Sequence, residues 1–383
     1  MTRELIMNNL PPDEQIVMLR KYWSVVTVLC IGGILSISAY LAVDHTETQR
    51  IQFQFIDAAQ DRIGALQNNL NNHLDILEVV ASFYAASTEV DRQEFQIFTK
   101  PLLIHYPGIE ALYWLPRVTQ AQRQSWETAL QTEYPSLGIT QYATSGELIP
   151  ALPRAEYFPI HYVASLEDSL PIIGMDMGSD PLMQSLLLQA RQQTEAIASA
   201  RFLLNLNQFG VKIIYPIYTS VPHVPLKQQF QGFIVGIFTI GEIVEQALRH
   251  SSDKGIDILL MDETASVDQS FLYLHSSSLR KKSVTINELQ NNPTPYLFPV
   301  TKNLKLAERT WSIQCYAIPE YAQAGRAWLS VAILIGGLLF TLLIIAFLLV
   351  FIDRELTLQV MTSELQAKEK EFRTFVNRAP VML

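Results

Sequence analysis

Several scarcities in this sequence exclude whole classes of function. Its two cysteines, Cys30 and Cys315, lie far apart and Cys30 sits inside an apolar run, so a disulfide framework is excluded. Neither a CxxC pair nor a His/Cys cluster with zinc-ligand spacing occurs. Charged residues make up only 17% of the chain and the net charge is −9, which denies nucleic acid the clustered basic surface it requires. A glycine-rich phosphate loop, a G-x-S-x-G elbow and an H-E-x-x-H helix are all missing. The seven histidines are scattered singly and read as surface or satisfied core residues rather than as bases or ligands. No catalytic residue, metal site or cofactor is therefore expected.

Long apolar runs, by contrast, are present. Trp328 to Ile352 reads WLSVAILIGGLLFTLLIIAFLLVFI without one charge. As a helix it would reach roughly 37 Å, more than the ~30 Å of hydrocarbon in a bilayer. A second run, Tyr22 to Val43, lies behind Arg20 and Lys21 and ahead of Asp44. Its long leader, its length and the lack of an A-x-A cleavage site favour an uncleaved span over a signal peptide. Arg3, Arg20 and Lys21 precede the first run, whereas Arg354, Lys368, Lys370, Arg373 and Arg378 follow the second. Both tails are then expected in the cytoplasm, with the intervening segment on the far side of the plasma or inner membrane.

The expected organisation is a tail at 1–21, a first transmembrane helix at 22–43, an extracytoplasmic domain at 44–326 and a second transmembrane helix at 327–352. A cytoplasmic helix at 353–374 follows, where Leu358, Met361, Leu365, Lys368, Phe372 and Phe375 form a short heptad seam. Thr46 to Ala86 contains no proline and one glycine, and its apolar residues recur in steps of three and four from Ile63 to Tyr84. This is a long helix, either packed on its own domain or serving as a dimer stalk. Asp91 with Glu94 marks a helix start, as does Thr119 with Gln122, and Asp180-Pro181 a third. Strands are expected at 109–115, 211–218, 232–240, 256–261, 271–275 and 310–317. Their succession without long helices favours antiparallel sheets, hence an α+β class.

Tyr113, Trp114, Tyr157, Tyr162, Phe202 and Tyr215 fall on expected strands, where alternate residues can share one concave pocket. Arg117 could add an anion-binding fork. Simple core filling competes for each aromatic taken singly. Asp176 and Asp180 are explained by the turn between them.

The run AL-Y-WLPRV at Ala111 to Val118, with Arg123 and Trp126-Glu127, resembles the signature of CHASE domains, extracytoplasmic sensors of histidine kinases and nucleotide cyclases. Later blocks agree in order: Tyr157 to Val163, Gly174-Met175-Asp176-Met177-Gly178-Ser179, Arg201-Phe202-Leu203, Gly210 to Tyr218, and Gly232 to Gly236. The closing EFRTFVNRAPVML, residues 371–383, resembles the first helix of a PAS domain, whose start is expected at 375–383. The resemblance implies a stalk helix at about 46–86, then two tandem PAS-like α/β subdomains with antiparallel sheets. The membrane-distal one, at about 90–220, would hold a small-molecule pocket, and the proximal one would span about 221–318. It further implies a homodimer and a cytoplasmic histidine kinase or a cyclic-di-GMP cyclase or phosphodiesterase output. The family's acidic contact for adenine-type cytokinins falls on Met183 here, counted as a pocket position, and a later polar contact falls on Ile214, so cytokinin binding is not expected. The rival expectation is a membrane-anchored module whose outer domain docks a periplasmic protein.

Overall fold

With no helix breaker between the first apolar run and Ala86, helical hydrogen bonding has no reason to stop, and the computed structural model forms one helix from Pro12 to Ala86. Residues 12–87, 89–166, 173–205, 208–220, 228–249, 255–280, 297–325 and 328–378 are described. The expected PAS-domain start lies largely outside them.

In chain order the elements are α1 (Pro12–Ala86), α2 (Arg92–His105), β1 (Ile109–Pro116), β2 (Val118–Thr119), α3 (Arg123–Glu133), β3 (Thr140–Tyr142), β4 (Leu148–Pro150), β5 (Glu156–Tyr157), β6 (Tyr162–Ser165), α4 (Pro181–Gln193), β7 (Ile197–Ala198), β8 (Phe202–Asn205), β9 (Gln208–Ser220), β10 (Gln228–Thr239), α5 (Ile240–Leu248), β11 (Ile256–Asp262), β12 (Phe271–His275), β13 (Leu297–Leu306), β14 (Arg309–Ala317), α6 (Pro319–Gly325) and α7 (Leu329–Arg378). They fall into two compact units, residues 1–52 with 324–383, and residues 53–323.

The first unit holds the apolar parts of α1 and α7, both long and apolar enough to cross a membrane. Small residues set their contact. A Cβ on Gly32 would overlap Thr341, and one on Gly337 would overlap Ser36. Close approach of this kind replaces the hydrophobic effect as the source of helix association in lipid.

The second unit is α+β, with two large antiparallel sheets and two two-stranded ones, β2-β5 and β3-β4. One large sheet has six strands in the order β6-β1-β10-β9-β7, with β8 also paired to β9; the other runs β12-β11-β14-β13. α1 buries Phe55, Ile63, Leu66, Leu70, Leu77, Val80 and Tyr84 in one core shared with residues of both sheets. Each such side chain contributes roughly 1.5–3 kcal/mol on leaving water. Gln67 fixes the register of α1 against the four-stranded sheet by bonding both backbone groups of Lys305, at 3.0 and 3.1 Å.

The Asp91–Glu94 capping box forms at α2. At α3 the expected cap differs: Gln122 occupies the N-cap position without capping, and its Oε1 instead accepts hydrogen bonds from the Thr119 amide and hydroxyl. Asp180 caps α4 ahead of Pro181. The apolar segment Tyr157 to Val163 gives two short strands, β5 and β6, because Pro159 between them has no N–H to donate.

Candidate functional site

Strand geometry decides where the aromatic residues go. Successive side chains alternate across a sheet, so neighbours Tyr113 and Trp114 must face opposite ways. Trp114, Tyr162 and Tyr215 pack on the face that α1 covers. Tyr113, Met183 and Phe202 pack on the other face, here called the front, together with Phe158, Met177 and Phe233. Tyr157 belongs to a small separate cluster with Val118 and Ile139. The expected residues therefore do not converge on one pocket.

Two of them have structural partners that occupy their polar groups. Arg117 Nε donates to Glu156 Oε1 at 2.9 Å, and Arg191 Nη1 donates to Glu156 Oε2 at 3.0 Å. The fork expected to be open to an anion is thus closed on a carboxylate. Tyr157, fully buried, takes hydrogen bonds at its hydroxyl from Arg123 Nη1 at 3.1 Å and the Arg154 amide at 2.9 Å, and donates to Gln120 Oε1. Such a network orders the loop before β5.

Asp176 anchors the front. Its Oδ1 accepts from the amides of Phe158 at 2.8 Å and Gly178 at 3.0 Å, while Oδ2 accepts from Arg154 Nη1 at 3.0 Å. Burial pushes its carboxyl above the ordinary range against the pull of those N–H groups and of Arg154. Next to it lies a cleft of about 470 Å³ lined by Arg154, Glu156, Ser179, Gln184, Arg191 and Phe233.

The Arg117 hydrogen bond, more than any other influence, holds Glu156 below the usual carboxylate range. A lowered folded-state pKa gives stability that is present above the unfolded value, ~4.3, and is lost as pH falls through the folded one. Glu156→Gln should therefore lower the unfolding temperature at pH 6, and the gap to the unmodified chain should close by pH 3. A gap that is constant across a calorimetric pH series would contradict this.

A second front cavity, of about 260 Å³, is lined by Tyr113, Tyr142, Ile160, Met175, Met177, Phe202, Leu204, Lys212 and Ile237. Lys212 gives it chemical direction. Its Nζ sits 5.0 Å over the Phe202 ring, and among the described residues it makes no ion pair. Burial lowers its pKa, with Asp180 acting weakly the other way through space. A half-buried ammonium in an aromatic, apolar cup is a receptor for an anionic group. Lys212 went unnoticed among the aromatics, although it is the lone charge within the apolar run Val211 to Tyr218. A charge in a central strand is the signal that would have found it. Of the expected residues, only Tyr113 and Phe202 line this cavity; Met183 and Ile214 are buried in the apolar core beside it.

Comparison with known proteins gives one curated relative in Dictyostelium discoideum, hybrid signal transduction histidine kinase A, 25% identical over 189 residues. That match covers 49% of this chain and 9% of the relative, so the chain spans less than a tenth of that protein's length. Among solved structures, the ligand-binding domain of a Pseudomonas aeruginosa PAO1 amino acid chemoreceptor in complex with GABA aligns over 70% of this chain and 99% of its own, at 14% identity and a TM-score of 0.39. That of a Campylobacter jejuni chemoreceptor in complex with L-valine aligns over 73% and 97%, at 9% identity and a TM-score of 0.37. Likenesses at this level decide neither fold nor ligand here. The family match is direct: it runs from just after α1 into β12 and takes in both front cavities, and residues 88–273 of this chain are a CHASE domain.

Proposed function

We propose that the chain is the sensing end of a two-pass transmembrane receptor whose front cavity binds a small carboxylate. In this reading the apolar parts of α1 and α7 cross the membrane, the second unit lies outside the cytoplasm, and both tails lie within it. Occupancy shifts a pair of helices that lead to a histidine kinase, diguanylate cyclase or phosphodiesterase output; the kinase relative supports the first. The basic residues flanking the two apolar runs support the orientation. Leu358, Met361, Leu365 and Phe372 are exposed along α7, which supports pairing with a second copy. A ligand moves such a pair only by binding its two arrangements unequally, with about 1–3 kcal/mol of coupling being typical.

The observation that carries the reading is Lys212, an ammonium that makes no ion pair among the described residues and sits in a formed aromatic cavity. At about 260 Å³ the cavity suits a compact ligand, with the acid group on Lys212 and an apolar body against Phe202 and Tyr113. The test titrates a series of small aliphatic and aromatic carboxylates into the full chain in lipid nanodiscs. Lys212→Met should weaken the binding of any member that binds by about 10- to 100-fold, the worth of a hydrogen bond to a charged group. The same change removes a buried charge, so stability should hold or rise by about 1 kcal/mol. A carboxylate that binds Lys212→Met unchanged would place recognition elsewhere.

A further inference from the structure

β7 is the end strand of the six-stranded sheet, so its outward backbone groups have no further strand to pair with. A side chain from the four-stranded sheet takes that place. The amide of Ala198, a fully buried residue, donates to both oxygens of the Glu308 carboxylate, at 3.3 and 3.0 Å. Glu308 is presented by a two-residue turn, Ala307-Glu308, between the paired residues Leu306 and Arg309. Ala307 has φ +51°, a left-handed conformation that a residue with a Cβ seldom adopts, and Arg309 Nε ties the turn to β11 through Asp262 Oδ2 at 2.7 Å. A second bond runs in parallel, from Arg201 Nη2 to the Asp268 carbonyl at 2.8 Å.

The strip so held, Ala198 to Phe202, adjoins the Lys212 cavity. Ser199 donates its amide to the Lys212 carbonyl at 2.8 Å, and its Oγ accepts from the Lys212 amide at 2.9 Å. Phe202 supplies the ring over which Lys212 Nζ sits at 5.0 Å, and it lines the cavity with Lys212. Glu308 lies outside residues 88–273, so the family domain alone does not contain it.

We propose that Glu308 is a positioning residue for the Lys212 cavity: its carboxylate holds the Ala198–Phe202 strip, and with it Lys212, in the geometry that receives a carboxylate ligand. This rests on the reading of that cavity as the binding site. Coupling between two places is reciprocal, so a ligand that tightens the strip also tightens the β13–β14 turn, and β14 leads in sequence through α6 into α7.

The experiment uses the full chain in nanodiscs, with benzoate as probe for calorimetric titration and with residue-resolved amide hydrogen exchange measured without probe. Glu308→Ala should weaken benzoate binding at least about fivefold, and Glu308→Gln, which keeps an acceptor oxygen for Ala198, should restore it to within about twofold. Without probe, Glu308→Ala should speed exchange of the Ala198 and Lys212 amides at least about fivefold and leave those of β12 unchanged. Acceleration at Ala198 alone would reduce Glu308 to a local contact, and acceleration that includes β12 would reduce it to general stability; either overturns the role. Benzoate binding that is lost in Lys212→Met but unchanged in Glu308→Ala would also overturn it, and would leave the reading of the cavity intact. If benzoate does not bind the unmodified chain, the carboxylate reading loses this probe and the exchange rates alone decide: a Lys212 amide indifferent to Glu308→Ala overturns the role, and an accelerated one upholds it.

Discussion

Asp176→Ala should cost the second unit about 3–5 kcal/mol, the usual penalty for removing one partner of a buried ion pair. The residue is 1% exposed and its two oxygens serve three donors: the Phe158 and Gly178 amides and the Arg154 guanidinium. Removing the carboxylate leaves a half-buried Arg154 without its counter-charge and two buried N–H groups without an acceptor. The apolar side chains of the front core, Phe158, Met177 and Leu187 among them, offer these donors no replacement acceptor. The loop also bridges distant segments, with Thr140 paired to Met175 and Pro159 to Asp176. Since Met175 and Met177 line the Lys212 cavity, the loss should reach that cavity as well. Chemical denaturation should show the midpoint falling with little change in slope, and Asp176→Asn, which keeps one acceptor oxygen, should lie between the two. A cost under about 1 kcal/mol for the alanine variant would mean that the loop is held by its backbone alone.

How much of this was legible in the sequence depended on the range of the interaction that decides each feature. The buried face of α1 was readable because Leu66, Leu70, Leu77, Ala81 and Tyr84 repeat at helical spacing and all are buried. The Asp91 capping box and the Asp180-Pro181 start were readable because each is complete within a few residues. β10 was expected to reach Ile240, but the strand ends at Thr239 and α5 begins there; the apolar run continues through the junction and conceals it. Strand parity separates Tyr113 from Trp114 but does not say which side holds a cavity. The ion pairs Arg154–Asp176 and Arg117–Glu156–Arg191 join residues brought together only by the fold, so Arg117 looked free. The CHASE domain at residues 88–273 was legible because its blocks keep their order along the chain.

The glycine at position 232 carries the other large effect. Its φ is +154°, in a region that only glycine enters readily, and it sits at a register shift in the β9–β10 ladder. It also faces Pro116 across the β1–β10 pair, where the Arg117 amide reaches the Gln231 carbonyl at 2.8 Å. A Cβ there would overlap the Leu115 carbonyl oxygen and come within 3.0 Å of both the Pro116 Cα and the Trp114 ring. Backbone atoms cannot swing aside as a long side chain can. Gly232→Val should therefore combine conformational strain with steric overlap, roughly 4 kcal/mol in all, and separate β1 from β10 at that end. Gly146 provides the comparison, since its φ is +84° but nothing lies within 4 Å of a Cβ built on it. Gly146→Ala should cost only the strain, about 1–2 kcal/mol. The difference between the two variants in denaturation free energy measures the overlap, and equal costs would show that β1 yields.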